Sequence, residues 1–426
     1  LSGPSTFSKG VDQFAYGISP YAISHAKGAY TWDIDNNKYL DTVMSLGAVI
    51  IGHNNKEVNK SIYNQIKKGT IFSLASSLET EVAELLTERI PSAEMVRFGK
   101  NGNDVTTAAV RLARHYTNKD HILFCGYHGW QDWYVCKTSM NSGIPKVISK
   151  YSHRFNYNDI DSLTKLFDEL KNKVACVIME PISKEEPKCK KICSFCKLNN
   201  KNRCKGFLNQ VKKITHKNNA LLIFDEVVTG FRFSRGGYQS ICKVIPDLSC
   251  FSKGMANGMP LSALVGKKEF MKKSNEIFYS LTYGGEALSM AAAKTVLSYM
   301  DKYKVTKHLD LVGKILIKKV NDLIKSFEME EMMEIKGFPQ KSFIIFKNYF
   351  DYSAEDLRTF WIQQLTKYKI LTLGTHLLSF SHNEKEIDIL VKNYEKVLSD
   401  FNRAFKNDNF NKMLKCPTSK SGARDL

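Results

Sequence analysis

The sequence predicts an α/β protein with a mostly parallel sheet flanked by helices. Near-continuous apolar runs of strand length occur at His121–Cys125, Ala175–Met179 and Ala220–Phe224, which is the pattern of strands buried on both faces. Longer amphipathic stretches alternate with them, and this alternation indicates βα units. These helical patterns cover Asp104–Tyr116, Asp159–Lys171 and Phe207–His216. Because ligands of such sheets bind beyond the carboxyl ends of the strands, the residues after these runs are the first candidates for a site.

The length of 426 residues favours two domains. We expect residues 61–300 to form a large domain around the sheet, and residues 1–60 to join residues 301–415 in a small α+β domain. Residues 416–426 read as a polar tail. The small domain is predicted from a hairpin, one strand and three helices, at Tyr30–Leu40, Ser342–Lys347, Lys307–Phe327, Ala354–Tyr368 and Glu384–Phe401.

The formal charge of +19 raises the question of a nucleic-acid partner. The lysines are spread along the chain, which favours a solvated surface over a nucleic-acid face and still attracts a phosphorylated or carboxylated small substrate. No apolar run reaches the length of about 18 residues that a membrane span needs. The N-terminus lacks the charged and apolar regions of a secretory signal. We therefore expect a cytoplasmic protein without nucleic-acid or membrane partners.

Residues with suitable chemistry follow each predicted strand. Tyr127, after the first run, offers a ring that can stack on a planar ligand. Asp225 ends the third run, where a fixed carboxylate can pair with a protonated ring nitrogen. Lys253 lies between an apolar approach and a Gly-rich exit, a setting that desolvates an amine and makes it nucleophilic toward aldehydes. Taken singly, each is better explained by loop packing, by a strand-end cap or by chance.

The segment Asn101-Gly102-Asn103 stands at the start of a predicted helix. Such a start presents unpaired N–H groups and the positive end of the helix dipole, which together form an anion cradle. Alone, an ordinary Asn/Gly helix cap explains it better. Together, the four features occur in the order phosphate cradle, ring-stacking aromatic, ring-nitrogen carboxylate and Schiff-base lysine, and one explanation covers all of them.

Longer motifs around these residues resemble the class III aminotransferases of fold type I, most closely the glutamate-1-semialdehyde aminomutase-like branch. Leu221–Arg232 resembles the hallmark strand of that family, and Pro246–Gly254 resembles its cofactor-lysine motif. Arg111–Arg114 and Tyr127–Gly129 match as well. The resemblance runs from about Gly28 to Phe401.

The resemblance implies a pyridoxal 5′-phosphate (PLP) enzyme with a mostly parallel seven-stranded sheet. Lys253 would hold the cofactor as a Schiff base, Asp225 would pair with its ring nitrogen and Tyr127 would stack on the ring; these three are the catalytic residues. The other cofactor-binding residues implied are Asn101, Gly102 and Asn103 toward the phosphate, Val227 on the opposite ring face, and His128, Glu180 and Thr282. Since Thr282 matches a threonine that reaches the neighbouring subunit's phosphate, a homodimer with shared active sites is implied.

The implied activity is ping-pong transfer of an amino group from an amino acid donor to a small keto or aldehyde acceptor. Three departures from the aminomutase pattern favour two separate substrates: Asn101-Gly102-Asn103 for Ser-Gly-Thr, Ser45-Leu46-Gly47 for Ser-Trp-Gly, and Gly374 for a gating glutamate. The alternatives are glutamate-1-semialdehyde 2,1-aminomutase and another PLP-dependent mutase or decarboxylase. Ser8–Phe14 and Gly258–Ala263 look like relatives in surface-polysaccharide pathways, which suggests a sugar, polyol or phosphorylated acceptor.

Residues 183–206 form a Cys/Lys-rich insertion with Cys189, Cys193, Cys196 and Cys204. Four thiols within 16 residues favour a metal knuckle, with structural zinc as the first choice and an iron–sulfur cluster as the second. The alternative is a lysine-rich surface loop with incidental free cysteines. The six other cysteines are spread along the chain and are predicted to be buried, inert thiols.

Overall fold

The computed structural model describes residues 4–188, 206–406 and 408–419. Two compact units make up the chain: a large unit, Glu57–Tyr303, and a small unit that combines Leu1–Lys56 with Lys304–Leu426. Within the described ranges, no helix has the length and apolar character needed to cross a membrane.

The strands, in chain order, are β1 (Ile23–Lys27), β2 (Tyr30–Asp33), β3 (Lys38–Asp41), β4 (Met95–Gly99), β5 (His121–Cys125), β6 (Ser152–Arg154), β7 (Val174–Met179), β8 (Leu221–Asp225), β9 (Leu248–Phe251), β10 (Ser262–Gly266), β11 (Met333–Phe338), β12 (Lys341–Phe346), β13 (Ile370–Leu371) and β14 (Thr375–His376). The longer helices are α1 (Lys56–Ile66), α2 (Ser77–Arg89), α3 (Gly102–Thr117), α4 (Ile160–Glu169), α5 (Gly206–Lys217), α6 (Ala287–Lys302), α7 (Val305–Ser326), α8 (Ala354–Lys367) and α9 (Glu384–Lys406). Short helical turns lie at Asp132–Val135, Gln239–Cys242, Lys268–Met271 and Phe410–Met413.

The large unit is built on a seven-stranded sheet with the order β4-β10-β9-β8-β7-β5-β6. The pairs from β9 through β6 are all parallel, and β10 runs antiparallel to both of its neighbours. The register sets Cys125 opposite Met179 and Asp225 opposite Cys250. The predicted mostly parallel, seven-stranded α/β fold is therefore confirmed.

Helices cover both faces of this sheet. Successive residues of a strand point to opposite faces, so Ile122 and Ile223 share one apolar cluster with α3. Leu123 and Leu222 belong to the other cluster, with α4 and α5. All six residues of β7 are buried, and each large aliphatic side chain buried in this way stabilises the fold by about 1.5–3 kcal/mol. Burial on both faces explains why the sequences of these strands are continuous apolar runs.

The small unit contains one sheet in the order β1-β2-β3-β13 and another in the order β11-β12-β14. The predicted hairpin is present as β2 and β3, and Asn36 takes a left-handed conformation (φ 61°) between them. β13 adds in parallel to β3, which ties the C-terminal part of the chain to its start. At the end of the described chain, Cys416 and Ser419 are buried, and the Ser419 N–H donates to Thr359 of α8 (2.9 Å).

The six cysteines outside the insertion are free and buried, as predicted. Burial raises the pKa of the Cys125 and Cys176 thiols to about 12, so neither is a thiolate near neutral pH. The predicted metal ligands Cys189, Cys193, Cys196 and Cys204 lie outside the described residues.

Candidate active site

The carboxyl ends of the parallel strands in the large unit carry the predicted site residues. The Gly126–Trp130 loop follows β5, Glu180 follows β7, and Asp225 ends β8. Lys253 comes two residues after β9, whose Cys250 is paired with Asp225. Since parallel strands end at one edge of a sheet, the fold brings these groups to the same edge.

Asp225 is held by two donors. Its carboxylate is only 4% exposed, and such a group is stable only when its oxygens are paired and hydrogen-bonded. Oδ1 accepts from the backbone N–H of Val227 at 3.0 Å, and Oδ2 lies 2.8 Å from Nδ1 of His128. A carboxylate fixed in this way is a suitable partner for a cationic ring nitrogen.

The start of α3 forms the predicted anion cradle. Oδ2 of Asp104 accepts from the N–H groups of Lys100 (3.0 Å) and Asn101 (2.7 Å), which fixes the turn before the helix. The next N–H groups, those of Gly102 and Asn103, belong to the first turn and have no acceptor within the helix. They lie at the positive end of the helix dipole, where an anion such as a phosphate is stabilised.

Gly102 is tightly enclosed by Val227. A Cβ at position 102 would lie 2.8 Å from Cγ1 and 3.0 Å from Cγ2 of Val227, which is closer than real side-chain contacts. Glycine is therefore required here by space, because the start of α3 approaches the segment that follows Asp225.

The loop after β5 folds over the start of α3. Gly129 has a φ of 107°, and a Cβ there would lie 2.6 Å from Cβ of Asn103. Oγ1 of Thr106 in α3 also donates to the carbonyl oxygen of His128 at 3.1 Å. These contacts place the loop that carries Tyr127 directly beside the anion cradle.

Tyr127 and Glu180 interact at the neighbouring strand ends. The Tyr127 ring is 36% exposed and packs edge-on against Tyr134, with 5.7 Å between the ring centroids. The Tyr127 N–H donates to Oε2 of Glu180 at 3.3 Å, while Glu180 itself is buried. Glu180 thus holds the loop, and the ring keeps an accessible face for stacking.

Lys253 begins a short helical turn, Lys253–Ala256, with a left-handed backbone (φ 44°). A non-glycine residue in this region stores strain of about 1–3 kcal/mol, and such strain concentrates at functional sites. Its neighbour Ser252 is buried and donates its hydroxyl to the carbonyl oxygen of Leu261 at 2.8 Å. Lys253 as a whole residue is partly buried.

Thr282 is exposed in the turn after residue 280. Across the described ranges, no hydrogen bond connects it with the other predicted residues of its own chain. Neither does the described part of the chain contain a group of three or more His, Cys, Asp or Glu side chains arranged to hold a metal ion.

Glu226 is a buried acid that the sequence analysis did not identify. It is fully buried, and burial raises the pKa of its carboxyl group. Oε2 accepts from Oγ1 of Thr229 (2.6 Å) and the N–H of Tyr238 (2.7 Å), while Oε1 accepts from the N–H of Gln239 (3.0 Å). Glu226 therefore anchors the loop that follows Asp225. The adjacent acids at a strand end were the signal in the sequence.

Two arginines follow Glu226 in the sequence, and arginine is the side chain best suited to bind a substrate carboxylate. Arg235 pairs with Glu88 at 2.8 Å and lies 3.6 Å from Asp301, which is a structural role within the large unit. Arg232 is fully buried, and burial lowers its pKa to about 10.

Comparison with known proteins identifies the family. The sequence model described as aminotransferase class-III matches residues 13–338. A glutamate-1-semialdehyde 2,1-aminomutase of Wigglesworthia glossinidia brevipalpis is 33% identical over 419 residues, covering 91% of both chains. The chain belongs to the class-III aminotransferases. A 3-aminobutyryl-CoA aminotransferase of Cloacimonas acidaminovorans (strain Evry) is 32% identical, again over 91% of both chains.

The fold of this class-III aminotransferase also matches solved structures. The FumI protein of Sphingopyxis sp. MTA144, in its PLP internal aldimine form, aligns with a TM-score of 0.84 at 23% identity, covering 96% of this chain and 94% of that one. The chain is thus a PLP-dependent aminotransferase of fold type I. Its strand edge fits the cofactor: the N–H groups of Gly102 and Asn103 in the first turn of α3 can bind a phosphate, and Asp225 presents a buried carboxylate.

Gly102→Ala is expected to weaken PLP binding about tenfold, a change of about 1.4 kcal/mol, because the new methyl group displaces Val227. In a Val227→Ala background the same substitution should have little further effect, since the obstructing side chain is gone. PLP dissociation constants of the four proteins, measured by equilibrium dialysis, check this coupling. An equal loss of PLP affinity in both backgrounds would show that the effect does not arise from contact with Val227.

Proposed function

We propose that this aminotransferase moves an amino group from an amino acid donor to a separate small keto or aldehyde acceptor. The main support for this proposal is the backbone conformation at Gly374. This residue has a left-handed backbone with a φ of 78°, where a side chain is strained, and it stands where the aminomutase-like pattern has a gating glutamate. A backbone built for glycine is poorly suited to an acidic gate, and without one the first product is free to leave before a second substrate binds.

A second departure supports the same assignment. Leu46 replaces the tryptophan of the aminomutase-like pattern, in the segment Met44–Leu46, where three consecutive residues have positive φ values of 45°, 52° and 59°. Oδ1 of Asp41 accepts from the N–H groups of Val43 and Met44 and so stabilises this turn. A strained, specifically supported turn is typical of a functional segment, and here it presents a smaller side chain.

Each predicted site residue is proposed to have one role in binding the cofactor or in moving a proton. When bound, PLP supplies an electron sink for the carbanion formed at the substrate carbon. Lys253 would hold the cofactor, and its Nζ would take the proton from the donor carbon and later return it. Asp225 would keep a proton on the ring nitrogen, Tyr127 would cover the ring, and the N–H groups of Gly102 and Asn103 would bind the phosphate.

The acceptor is proposed to be anionic. The charge of +19 attracts carboxylates and phosphates over a long range, and one relative is named for 3-aminobutyryl-CoA, an anionic amino compound. The sugar, polyol or phosphorylated acceptor of surface-polysaccharide synthesis suggested by Ser8–Phe14 stays a prediction, since the relatives described above are named for other substrates. Acceptor screening separates these classes.

A half-reaction screen tests the proposed two-substrate chemistry. The visible absorbance of the PLP-bound protein is expected to bleach with an amino acid donor and to return when a keto or aldehyde acceptor is added, because donor and acceptor react in separate steps. Glutamate 1-semialdehyde serves as the aminomutase control. Its isomerisation without an added acceptor, together with no bleaching by any amino acid, would contradict the proposal.

We also propose a homodimer with shared active sites. Large apolar side chains are exposed on two segments of the large unit, one near Thr282 and one from the second half of α1 to residue 74. The Ala287 N–H donates to the Thr70 carbonyl at 2.8 Å and so connects the two segments. The exposed side chains are Tyr63, Ile66, Phe72, Leu74, Phe278 and Tyr283. Exposed apolar groups of this size mark interaction surfaces, and a second copy on this face would let Thr282 reach the partner's phosphate site.

Leu74→Asp and Phe278→Asp are expected to shift the protein toward the monomer, because each buries a charge at the proposed interface. The two side chains are 85% and 86% exposed in the single chain. Phe350→Asp in the small unit, where Phe350 is 71% exposed, is the matched control. Sedimentation velocity measures the distribution. A monomeric parent, or an equal shift with the control, would overturn the dimer.

A further inference from the structure

The segment that carries Thr282 lies on the surface of the large unit. Residues 280–283 are all exposed in the single chain, and the segment runs from Tyr279 to the start of α6 at Ala287. An exposed loop with few buried contacts opens easily unless both of its ends are fixed to the rest of the fold. The contacts that fix the two ends therefore determine where Thr282 lies.

The first end of the segment is attached to β4. Oη of Tyr279 donates to the carbonyl oxygen of Phe98 at 3.2 Å, and Nη2 of Arg97 donates to the carbonyl oxygen of Tyr279 at 3.0 Å. Farther along the segment, a Cβ at Gly284 would lie 3.7 Å from the same Phe98 oxygen. The segment thus lies along the end of β4, which leads directly into the anion cradle of the same chain.

The second end is fixed by Glu286, the residue before α6. Its Oε1 accepts from the Leu288 N–H at 2.6 Å, and its Oε2 accepts from the N–H and the hydroxyl of Ser289 at 3.1 and 2.6 Å. Nζ of Lys100 donates to the same Oε2 at 3.1 Å. Glu286 is therefore both the cap of α6 and the acceptor of an ion pair from outside that helix.

The Lys100–Glu286 ion pair is largely withdrawn from solvent, since only 14% and 16% of the two side chains are exposed. Burial opposes ionisation of the Glu286 carboxyl, but the hydrogen bonds from Ser289 and Lys100 outweigh burial and hold its pKa below the usual range. Removing one partner of a buried pair leaves the other charge without compensation, whereas an exposed pair contributes little. The pair is therefore a strong link between segments 186 positions apart in the chain.

Lys100 is itself held in place, because it belongs to the turn that leads into α3. Its N–H donates to Oδ2 of Asp104 at 3.0 Å, so the backbone from which its side chain extends is fixed. The same stretch of chain presents the N–H groups of Gly102 and Asn103 to an anion and the lysine side chain to Glu286.

We propose that Lys100 and Glu286 are positioning residues that hold the Thr282 segment where it reaches the phosphate site of the partner subunit. This inference rests on the proposed homodimer with shared active sites. The pair acts through the Thr282 hydroxyl and not on the cofactor. Because Lys100 also leads into the cradle, the same turn of chain supports the phosphate site of its own subunit and the one that it completes in the partner.

A double-mutant cycle for PLP binding tests the proposal on the full-length dimer. Thr282→Val removes the hydroxyl at nearly constant volume and is expected to weaken PLP binding about tenfold, since a hydrogen bond to a charged group is lost. Lys100→Met should weaken binding by up to the same factor in the parent. In the Thr282→Val background it should have little further effect, because the group that it positions is gone. Equilibrium dialysis gives the PLP dissociation constants of the four proteins.

The controls separate positioning from a direct effect of charge. Lys100→Arg, which keeps the ion pair, should retain the parent affinity, and so should Lys273→Met, which breaks an exposed pair with Glu276. All variants are compared at concentrations where sedimentation velocity shows the dimer. Equal losses from Lys100→Met with and without the Thr282 hydroxyl would show that the lysine acts on the phosphate by itself, and would overturn the inference.

Hydrogen exchange followed by mass spectrometry gives a second measurement that needs no cofactor. The amides of residues 280–286 should exchange several-fold faster in Lys100→Met and in Glu286→Gln, because the loop opens more often without the ion pair. Glu286→Gln keeps an oxygen that can cap α6 and breaks the pair from its other side, so the proposal is tested even if Lys100→Met folds poorly. Unchanged exchange in both variants would overturn the inference.

The two proposals fail in different ways. No effect of Thr282→Val on PLP binding would reject the shared active site, and with it this role of the ion pair. Neither measurement depends on turnover, so a failed half-reaction screen together with the expected coupling would reject the proposed transfer reaction alone.

Discussion

The burial of the Asp225 carboxylate at the end of β8 is the constraint on which the rest of the strand edge depends. At 4% exposure, the charge is tolerated only with a donor on each oxygen. Val227 supplies one donor from the next turn of the chain, and His128 supplies the other from a different strand. For His128 to reach that position, the loop after β5 must turn back on itself, which Gly126 and Gly129 permit with φ values of 107° each.

The same constraint extends to α3, whose first turn forms the anion cradle. Val227, whose N–H holds Asp225, packs its side chain against Gly102 so closely that no Cβ fits. The loop carrying His128 in turn contacts Asn103 and Thr106 of α3. The carboxylate and the cradle are thus joined through direct contacts within one unit.

Much of this arrangement was predictable because the sheet is buried on both faces. Because β5, β7 and β8 are buried on both faces, almost every one of their residues is apolar. The end of each apolar run therefore shows where the strand ends and which residue follows it. The His128–Asp225 pair was not predictable, because it joins residues 97 positions apart and depends on strand order and register. The position of β10 between β4 and β9, antiparallel to both, could likewise not be predicted from the composition of the strand itself. The role of Thr282 involves a second subunit, which one chain cannot show.

Among the many lysines of the chain, Lys253 is the one proposed to hold the cofactor. Borohydride treatment of the PLP-bound protein, followed by peptide mass spectrometry, tests it directly because reduction makes the lysine linkage permanent. A single modified peptide that contains Lys253 is expected, and no modification is expected after Lys253→Ala. A cofactor found on another lysine, with Lys253 unmodified, would show that Lys253 does not hold it.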